Sequence, residues 1–353
     1  MLITGGAGFV GSNLAVWFRA HYPDLHIIAA DNLKRRGSEL NLARLRAHDI
    51  EFTHCDIRNP EDLRFDDRHI DLIIECSAEP SVLAGYGGSP EYVVNTNLGG
   101  TINCLELARR TGAAIVFLST SRVYPIITLN QIATNEQPTR LALNETQTIP
   151  GVSIRGISEQ VPLTGARSLY GATKLASELL LEEYGAMYGL KYVVNRCGVL
   201  TGPWQMGKVD QGVFALWMAT HYFGGELRYL GWGGTGKQVR DLLHIDDLAR
   251  LVDHQAGHFD ERSGDVFNVG GGTAISLSLL ETTALCEEIT GRHIAISTVP
   301  ETHQADLKLY ITDNTAVTAA TGWQPQISAR DTLISLFDWL QASESLVRHL
   351  WAK

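Results

Sequence analysis

The chain has 353 residues, of which 44% are hydrophobic and 19% charged. At about 150 residues per domain this is room for roughly two domains, and the balance excludes a disordered tail or a membrane bundle. The formal net charge is −10, from 29 Lys and Arg against 39 Asp and Glu, and the longest basic run is the triplet Lys34, Arg35, Arg36, so no nucleic-acid surface is expected.

The opening MLITGG enters a strand without a basic leader, and no apolar stretch reaches the roughly 18 residues of a spanning helix, so a cytoplasmic protein without membrane association is expected. Apolar runs then alternate with segments of helical period: MLIT, GSNLAVWFRAHY, HIIAAD, ELNLARLRAH, EFTHCD and DLIIECS. The alternation continues as a helix over NTNLGGTINCLELARRTG, a strand in AAIVFLSTS, a helix over SLYGATKLASELLLEEYGAMYG and a strand in KYVVNRCGV. It predicts an α/β fold, a Rossmann doubly wound parallel sheet with a smaller C-terminal substrate domain.

The expected division is a cofactor domain over 1–197, with a Thr/Asn/Pro/Gly-rich, lid-like excursion at 125–167, and a mainly substrate-binding domain over 198–353. Residues 241–258 are expected to pack back on the first domain. Excursions of that length are uncommon unless they are ordered or close on a ligand. The segment SARDTLISLFDWLQASESLVRHLWAK is amphipathic and predicts a closing helix. Five widely spaced cysteines without a C-x-x-C pair read as reduced, mostly buried thiols.

The chemistry begins with Gly5, Gly8 and Gly11, a G-x-x-G-x-x-G turn between the first strand and a helix opened by Phe9 and Val10. Backbone N–H groups and the helix dipole there can hold a pyrophosphate. Asp31 ends the second strand twenty residues past Gly11, where a carboxylate accepts both ribose hydroxyls of an adenosine and repels a 2′-phosphate. Lys34, Arg35 and Arg36 lie just beyond and could greet such a phosphate, but NAD is favoured over NADP. Asp56, after the third strand, either caps a helix or bonds the adenine.

Tyr170 and Lys174 are spaced i, i+4 on a predicted helix, so phenol and ammonium share one face. An ammonium about 5 Å from the phenol, at an effective dielectric near 20, favours the phenolate by roughly 3 kcal/mol. A cationic nicotinamide would favour it further and leave Tyr170 able to act as acid and base. Thr120, ending the strand in FLSTSRVY, can bond the same substrate oxygen. In an ordinary helix such a pair is a surface tyrosine beside a snorkelling lysine; the dinucleotide fingerprint makes the catalytic reading the stronger one.

Through TGGAGFVGSNL, DNL, CDIRN, LSTSRVY, YGATK and QVRDLLHIDDL the sequence resembles, over essentially its whole length, the extended short-chain dehydrogenase/reductase family of sugar-nucleotide epimerases and dehydratases. The resemblance implies tightly held NAD, a nucleoside-diphosphate-sugar substrate and the triad Thr120, Tyr170 and Lys174, with the lysine also bonding the nicotinamide ribose. It also places Asn32, Arg35, Ile57, Ser77, Ala78, Glu79, Asn97 and Cys197 among the cofactor contacts, and Glu79, Thr120 and Arg122 beside the substrate. Dehydratases of the family carry acidic residues just after the Ser/Thr. Here Ser121 and Arg122 stand there, which favours an epimerase working by transient oxidation to a keto-sugar and reduction on the opposite face.

Finer matches, DNLKRRG, KVDQG, GTGKQVRDLLHIDDL, FNVGGG and SLSLLE, are most similar to the branch that inverts C2 of CDP-linked paratose. Glu79, where many relatives carry an uncharged residue, and the longer lid depart from that pattern. A diphosphate needs local cations, for which Arg240, Lys237 and Lys308 are the candidates, Arg240 the best of the three from its place between an apolar strand and DLLH, with Lys208 and Gln211 weaker ones. His254 and His258 share a helical face but lack the other parts of a zinc site, so no metal is expected. Apolar stripes on the helices NTNLGGTINCLELARR and YGATKLASELLLEEYG resemble the family's dimer-forming pair and imply a homodimer. UDP-hexose 4-epimerisation, a net NAD-dependent oxidoreductase and a non-catalytic dinucleotide-binding regulator remain as alternatives, the last disfavoured by the Tyr/Lys pair.

Overall fold

The computed structural model describes residues 1–65, 68–206 and 212–351. The chain falls into two compact units. The first comprises Met1–Val123, Ser168–Arg196 and Leu248–Phe267, and the second Tyr124–Arg167, Cys197–Asp247 and the chain from Asn268 on.

The first unit is built from β1 (Leu2–Thr4), α1 (Phe9–His21), β2 (Ile28–Asp31), α2 (Asn41–Ala47), β3 (Glu51–His54), β4 (Leu72–Glu75), α3 (Gly100–Thr111), β5 (Ala114–Thr120), α4 (Leu169–Tyr188) and β6 (Tyr192–Cys197). Its sheet runs β6-β5-β4-β1-β2-β3, with the strand Val266–Val269 beyond β6. The pairings from β3 through β5 are parallel. Every residue of β1, β2, β4 and β5 is buried, which is why these strands read as unbroken apolar runs instead of alternating ones. Strand order reverses between β1 and β4, and in a doubly wound sheet ligands bind where the carboxyl ends of such strands diverge.

Register places Thr4 opposite Glu75 and Glu75 opposite Phe117, so these three side chains lie in one row on one sheet face. Residues of α3 and α4 complete the apolar layer, Cys104, Leu105 and Leu181 joining Phe117 and Ile115 in one buried cluster. Both ends of α4 follow from local chemistry: Ser168 Oγ accepts the Gly171 N–H at 3.2 Å, and Gly189 at φ 69° ends the helix. The segment NTNLGG, expected as plain helix, contains a π-helical turn at Asn95–Gly99. There the Asn97 carbonyl accepts the Thr101 hydroxyl at 2.7 Å and the Ser177 hydroxyl at 3.3 Å.

The second unit has a sheet of Val199–Thr201, Val239–His244, Ser276–Ser278 and Leu309–Tyr310, and a separate parallel pair, Glu226–Leu230 with Ala295–Val299. Helices Val213–Phe223, Leu279–Thr290 and Ala329–Ala342 pack together. The stretch after Tyr124 belongs to this unit and is ordered as a helix, Ile126–Asn130, and two antiparallel strand pairs. The closing segment forms two helices, Ala329–Ala342 and Glu344–Trp351. The chain turns at Ser343, bringing the Trp351 ring edge-on to Trp339 at 6.3 Å and stacked on Phe223 at 6.2 Å.

All five cysteines are free, and Cys55, Cys104, Cys197 and Cys286 are buried. Burial pushes the Cys55 thiol up to about 12, so it stays protonated and inert. Among the described residues no helix is long and apolar enough to cross a membrane.

Candidate active site

The glycine turn is a steric necessity. Gly5 has φ +64°, and a Cβ on it would lie 2.9 Å from the Cys76 carbonyl carbon beyond β4; a Cβ on Gly11 would lie 2.3 Å from the Gly5 oxygen. Gly8 is the N-cap of α1 and makes no side-chain cap bond, so its side leaves the first-turn N–H groups open to a ligand. Asp31 closes β2 beside this turn, its carboxylate accepting Ala7 N at 3.1 Å and Leu33 N at 2.7 Å. Burial pushes its pKa up, against those backbone donors. Each oxygen keeps acceptor capacity for a ribose hydroxyl. An uncapped helix start with Phe9 and Val10 in its first turn, glycines where a Cβ would collide, and an anchored carboxylate together fit a dinucleotide.

Around Asp56 the geometry is more crowded than expected. Arg58 grips the Asp56 carboxylate at 2.6 to 3.2 Å, and Asn32 donates to it at 3.1 Å. The Arg58 hydrogen bonds draw Asp56 down to about 2. Arg58 and Lys34 both sit over the Tyr92 ring, at 5.0 and 5.6 Å. An open cavity of about 600 Å³ lies here, lined by Asp56, Arg58, Asn95 and Asn103. Ile57 is buried against Gly100, while Arg35 is half-buried in the turn after β2.

Ser77, Ala78 and Glu79 form the half-buried segment after β4. Asn97 holds it, accepting Glu79 N at 2.7 Å and donating to Glu79 O at 3.1 Å, and its amide also reaches Thr173 Oγ1 on α4 at 3.2 Å. Asn97 therefore acts on the cofactor loop and on the helix carrying Tyr170 together. The Glu79 carboxylate accepts Ser81 N at 3.1 Å.

Thr120 is buried at the end of β5, and its Oγ1 accepts Arg122 N at 3.2 Å. Ser119 beside it donates to Glu178 of α4, which accepts a fork from Arg196 of β6 at 2.8 to 3.2 Å. This buried group locks α4 against β5 and β6; breaking such a pair from one side costs about 3–5 kcal/mol.

Tyr170 is half-buried in the first turn of α4, and Lys174, one turn on, is only 2% exposed. The Lys174 Nζ lies 3.5 Å from Glu75 Oε2 and 3.9 Å from the centre of the Phe117 ring. Sequence reasoning missed Glu75, whose signal was present: one carboxylate inside the apolar run DLIIECS. It also missed Glu178 and Arg196, for which spacing carried no signal.

In the second unit, Lys237 is paired with Glu136 at 2.7 Å. Arg240 donates to the Val239 and Leu307 carbonyls at 2.7 and 2.6 Å. Lys308 is half-buried, and desolvation alone lowers its pKa. Cys197 is buried at the end of β6. Lys208 and Gln211 lie outside the described residues. In the first unit His254 and His258 stack ring on ring at 4.2 Å.

Residues 1–270 match the model of the NAD dependent epimerase/dehydratase family. The chain is 32% identical over 347 residues to the CDP-paratose 2-epimerase of Salmonella typhi, covering 96% of this chain and 98% of that protein. It is 26% identical to the UDP-glucuronate 4-epimerase of Thermodesulfobacterium geofontis, covering 99% and 98% of the two chains. Among solved structures, a dTDP-glucose 4,6-dehydratase of Streptomyces venezuelae with NAD bound superposes with a TM-score of 0.78 at 27% identity, covering 99% of both chains.

The glycine geometry carries its own test. Gly11→Ala forces its new methyl into the Gly5 carbonyl and is expected to weaken NAD binding at least tenfold, measured by quenching of protein fluorescence; unchanged affinity would refute this account of the turn.

Proposed function

The chain belongs to the NAD dependent epimerase/dehydratase family, and we propose that within it the protein inverts one carbinol centre of a nucleoside-diphosphate sugar, with a CDP-linked 3,6-dideoxyhexose epimerised at C2 as the preferred substrate. The observation that carries this reading is the presence of Tyr170 and Lys174 one turn apart on α4 and of Thr120 at the end of β5, followed by Ser121 and Arg122 instead of an acid. Elimination of water needs a proton donor for the departing hydroxyl. Neither of those two residues is a carboxylic acid, which favours redox chemistry over elimination.

Bound NAD supplies a hydride acceptor for the carbinol carbon and the hydride that returns to it. Glycines 5, 8 and 11, with the first turn of α1, would hold its pyrophosphate, Asp31 its adenosine ribose and Lys174 its nicotinamide ribose. Tyr170 Oη takes the proton of the reacting hydroxyl and restores it at the end of the cycle. The Thr120 hydroxyl has one acceptor site filled by Arg122 N, so its own hydrogen is free to donate to the substrate oxygen. Lys174 supplies the positive charge that favours the phenolate.

Inversion requires the sugar to present both faces while its nucleotide stays anchored. In the second unit, Lys308, a half-buried ammonium lowered only by desolvation, is the favoured contact for the diphosphate, with Arg240 behind it through the Leu307 carbonyl. The reading also takes the protein as a cytoplasmic homodimer, joined through the exposed side chains Ile102 of α3 and Leu179 and Met187 of α4.

Incubation with CDP- and UDP-linked sugars, with products followed by NMR, tests the reading. Inverted product without accumulating NADH is expected; steady release of NADH would replace the epimerase with a net oxidoreductase. Tyr170→Phe is expected to lower turnover at least a thousandfold while keeping NAD. Lys308→Ala is expected to raise KM about tenfold with kcat nearly unchanged, and equal losses in kcat and kcat/KM would move the diphosphate elsewhere. Met187→Glu is expected to halve the mass found by sedimentation; a native chain that already sediments as a monomer would remove the dimer.

A further inference from the structure

Other buried carboxylates among the described residues are held by backbone N–H groups or by an arginine. Asp31 accepts two backbone N–H groups, Asp241 accepts Gly272 N and Thr312 N at 3.1 and 3.0 Å on Oδ2 while its Oδ1 makes no protein hydrogen bond, and Glu178 takes the Arg196 fork together with a hydroxyl. Glu75 has none of this. Its side chain is 1% exposed, Oε2 meets Lys174 Nζ at 3.5 Å, and Oε1 makes no protein hydrogen bond. A carboxylate so poorly compensated is an expensive way to stabilise a strand, because desolvation outweighs one long ion pair. Its value has to lie in what it does to Lys174.

The surroundings leave Lys174 as the charge that Glu75 faces. On one side in the sheet row is Thr4 of β1, whose Oγ1 likewise makes no protein hydrogen bond; on the other is the Phe117 ring of β5. From α3 the neighbour is Cys104, a buried thiol held protonated by desolvation and by Glu75 itself. From α4 it is Lys174; Glu178, one turn further, is already occupied by Ser119 and Arg196.

We infer that Glu75 is a positioning residue for the reaction proposed above: it holds the Lys174 ammonium against the end of β4 and offsets part of its charge, setting how basic the Tyr170 phenolate is. The inference rests on that reading of Tyr170 and Lys174. Burial raises the pKa of Glu75 and Lys174 opposes the rise; where Lys174 also serves the phenol, as in the reading above, carboxylate and phenol would draw on the same ammonium and titrate as a coupled set. The sense of the effect follows from charge. An anionic Glu75 makes it harder to ionise Tyr170, so the acid limb of the kcat/KM profile lies at higher pH than Lys174 alone would set. A base that must return its proton in every cycle works best when it is not too weak. Glu75 keeps Tyr170 from becoming so.

The test compares pH profiles of kcat/KM in wild type, Glu75→Gln and Glu75→Asp, alongside the ultraviolet difference absorbance of tyrosinate in each, referenced to Tyr170→Phe. Glu75→Gln removes the charge and is expected to move the acid limb and the tyrosinate titration down by about one pH unit, which is about a tenfold gain in kcat/KM on the acid side relative to its own plateau. Glu75→Asp withdraws the same charge by about one bond length and is expected to move both the same way by less; it carries the test if the Gln variant does not fold. An acid limb that stays in place in the folded variants would overturn the role of Glu75, since a purely structural carboxylate would change thermal stability and leave the profile alone. Wild-type turnover in Tyr170→Phe would instead remove the reading on which the inference rests.

Discussion

Burying an ammonium group costs several kcal/mol unless it is paired, and the end of the first unit that carries Tyr170 and Lys174 is organised around that cost. Lys174, in the second turn of α4, is buried with one carboxylate at 3.5 Å and an aromatic face at 3.9 Å as its compensation. Neither partner is on its own helix. Glu75 comes from β4 and Phe117 from β5, neighbours in register, so the placement of the charge depends on the sheet being paired correctly before the helix docks. A slip of one residue in β4 would turn Glu75 to the opposite face and leave the ammonium unpaired.

The rest of the first unit keeps that arrangement rigid with respect to the glycine turn. Asn97, set in a π-helical turn, bonds the backbone of Glu79 on the loop after β4 and the Thr173 hydroxyl on α4. π-turns of this kind occur at functional sites because the extra residue re-aims a side chain that a regular helix would direct elsewhere. Glu178 and Arg196 perform the matching task at the other side of α4, tying it to the two strands β5 and β6. The placement of β5 and α4, which carry Thr120 and Tyr170, is thus fixed by buried polar groups from other elements.

Relatives on this fold include epimerases acting at different carbons and dehydratases. Such divergence is expected where a shared scaffold fixes cofactor and base while the residues around the sugar decide the outcome. Here the two residues after Thr120 are not acids, and the candidate cations of the second unit differ in their commitments. Lys237 is committed to Glu136, and the Arg240 guanidinium to two carbonyls, whereas the Lys308 ammonium is shaped by desolvation alone.

Local sequence determined the elements and the chemical parts. Apolar runs set the strands, Ser168 and Gly189 the ends of α4, three glycines the turn, and the i, i+4 spacing the shared face of Tyr170 and Lys174; each is legible in a linear string, although the close approach that requires glycine at position 5 comes from Cys76 beyond β4. Tertiary structure alone decided which partners those parts acquired. The pairing of Lys174 with Glu75 spans 99 residues and that of Arg155 with Asp313 spans 158, and the break at Ser343 follows from where the Trp351 ring finds Trp339 and Phe223. Such contacts are set by strand register and by the packing of side chains distant along the chain, and neither periodicity nor spacing encodes which distant residue fills a given place.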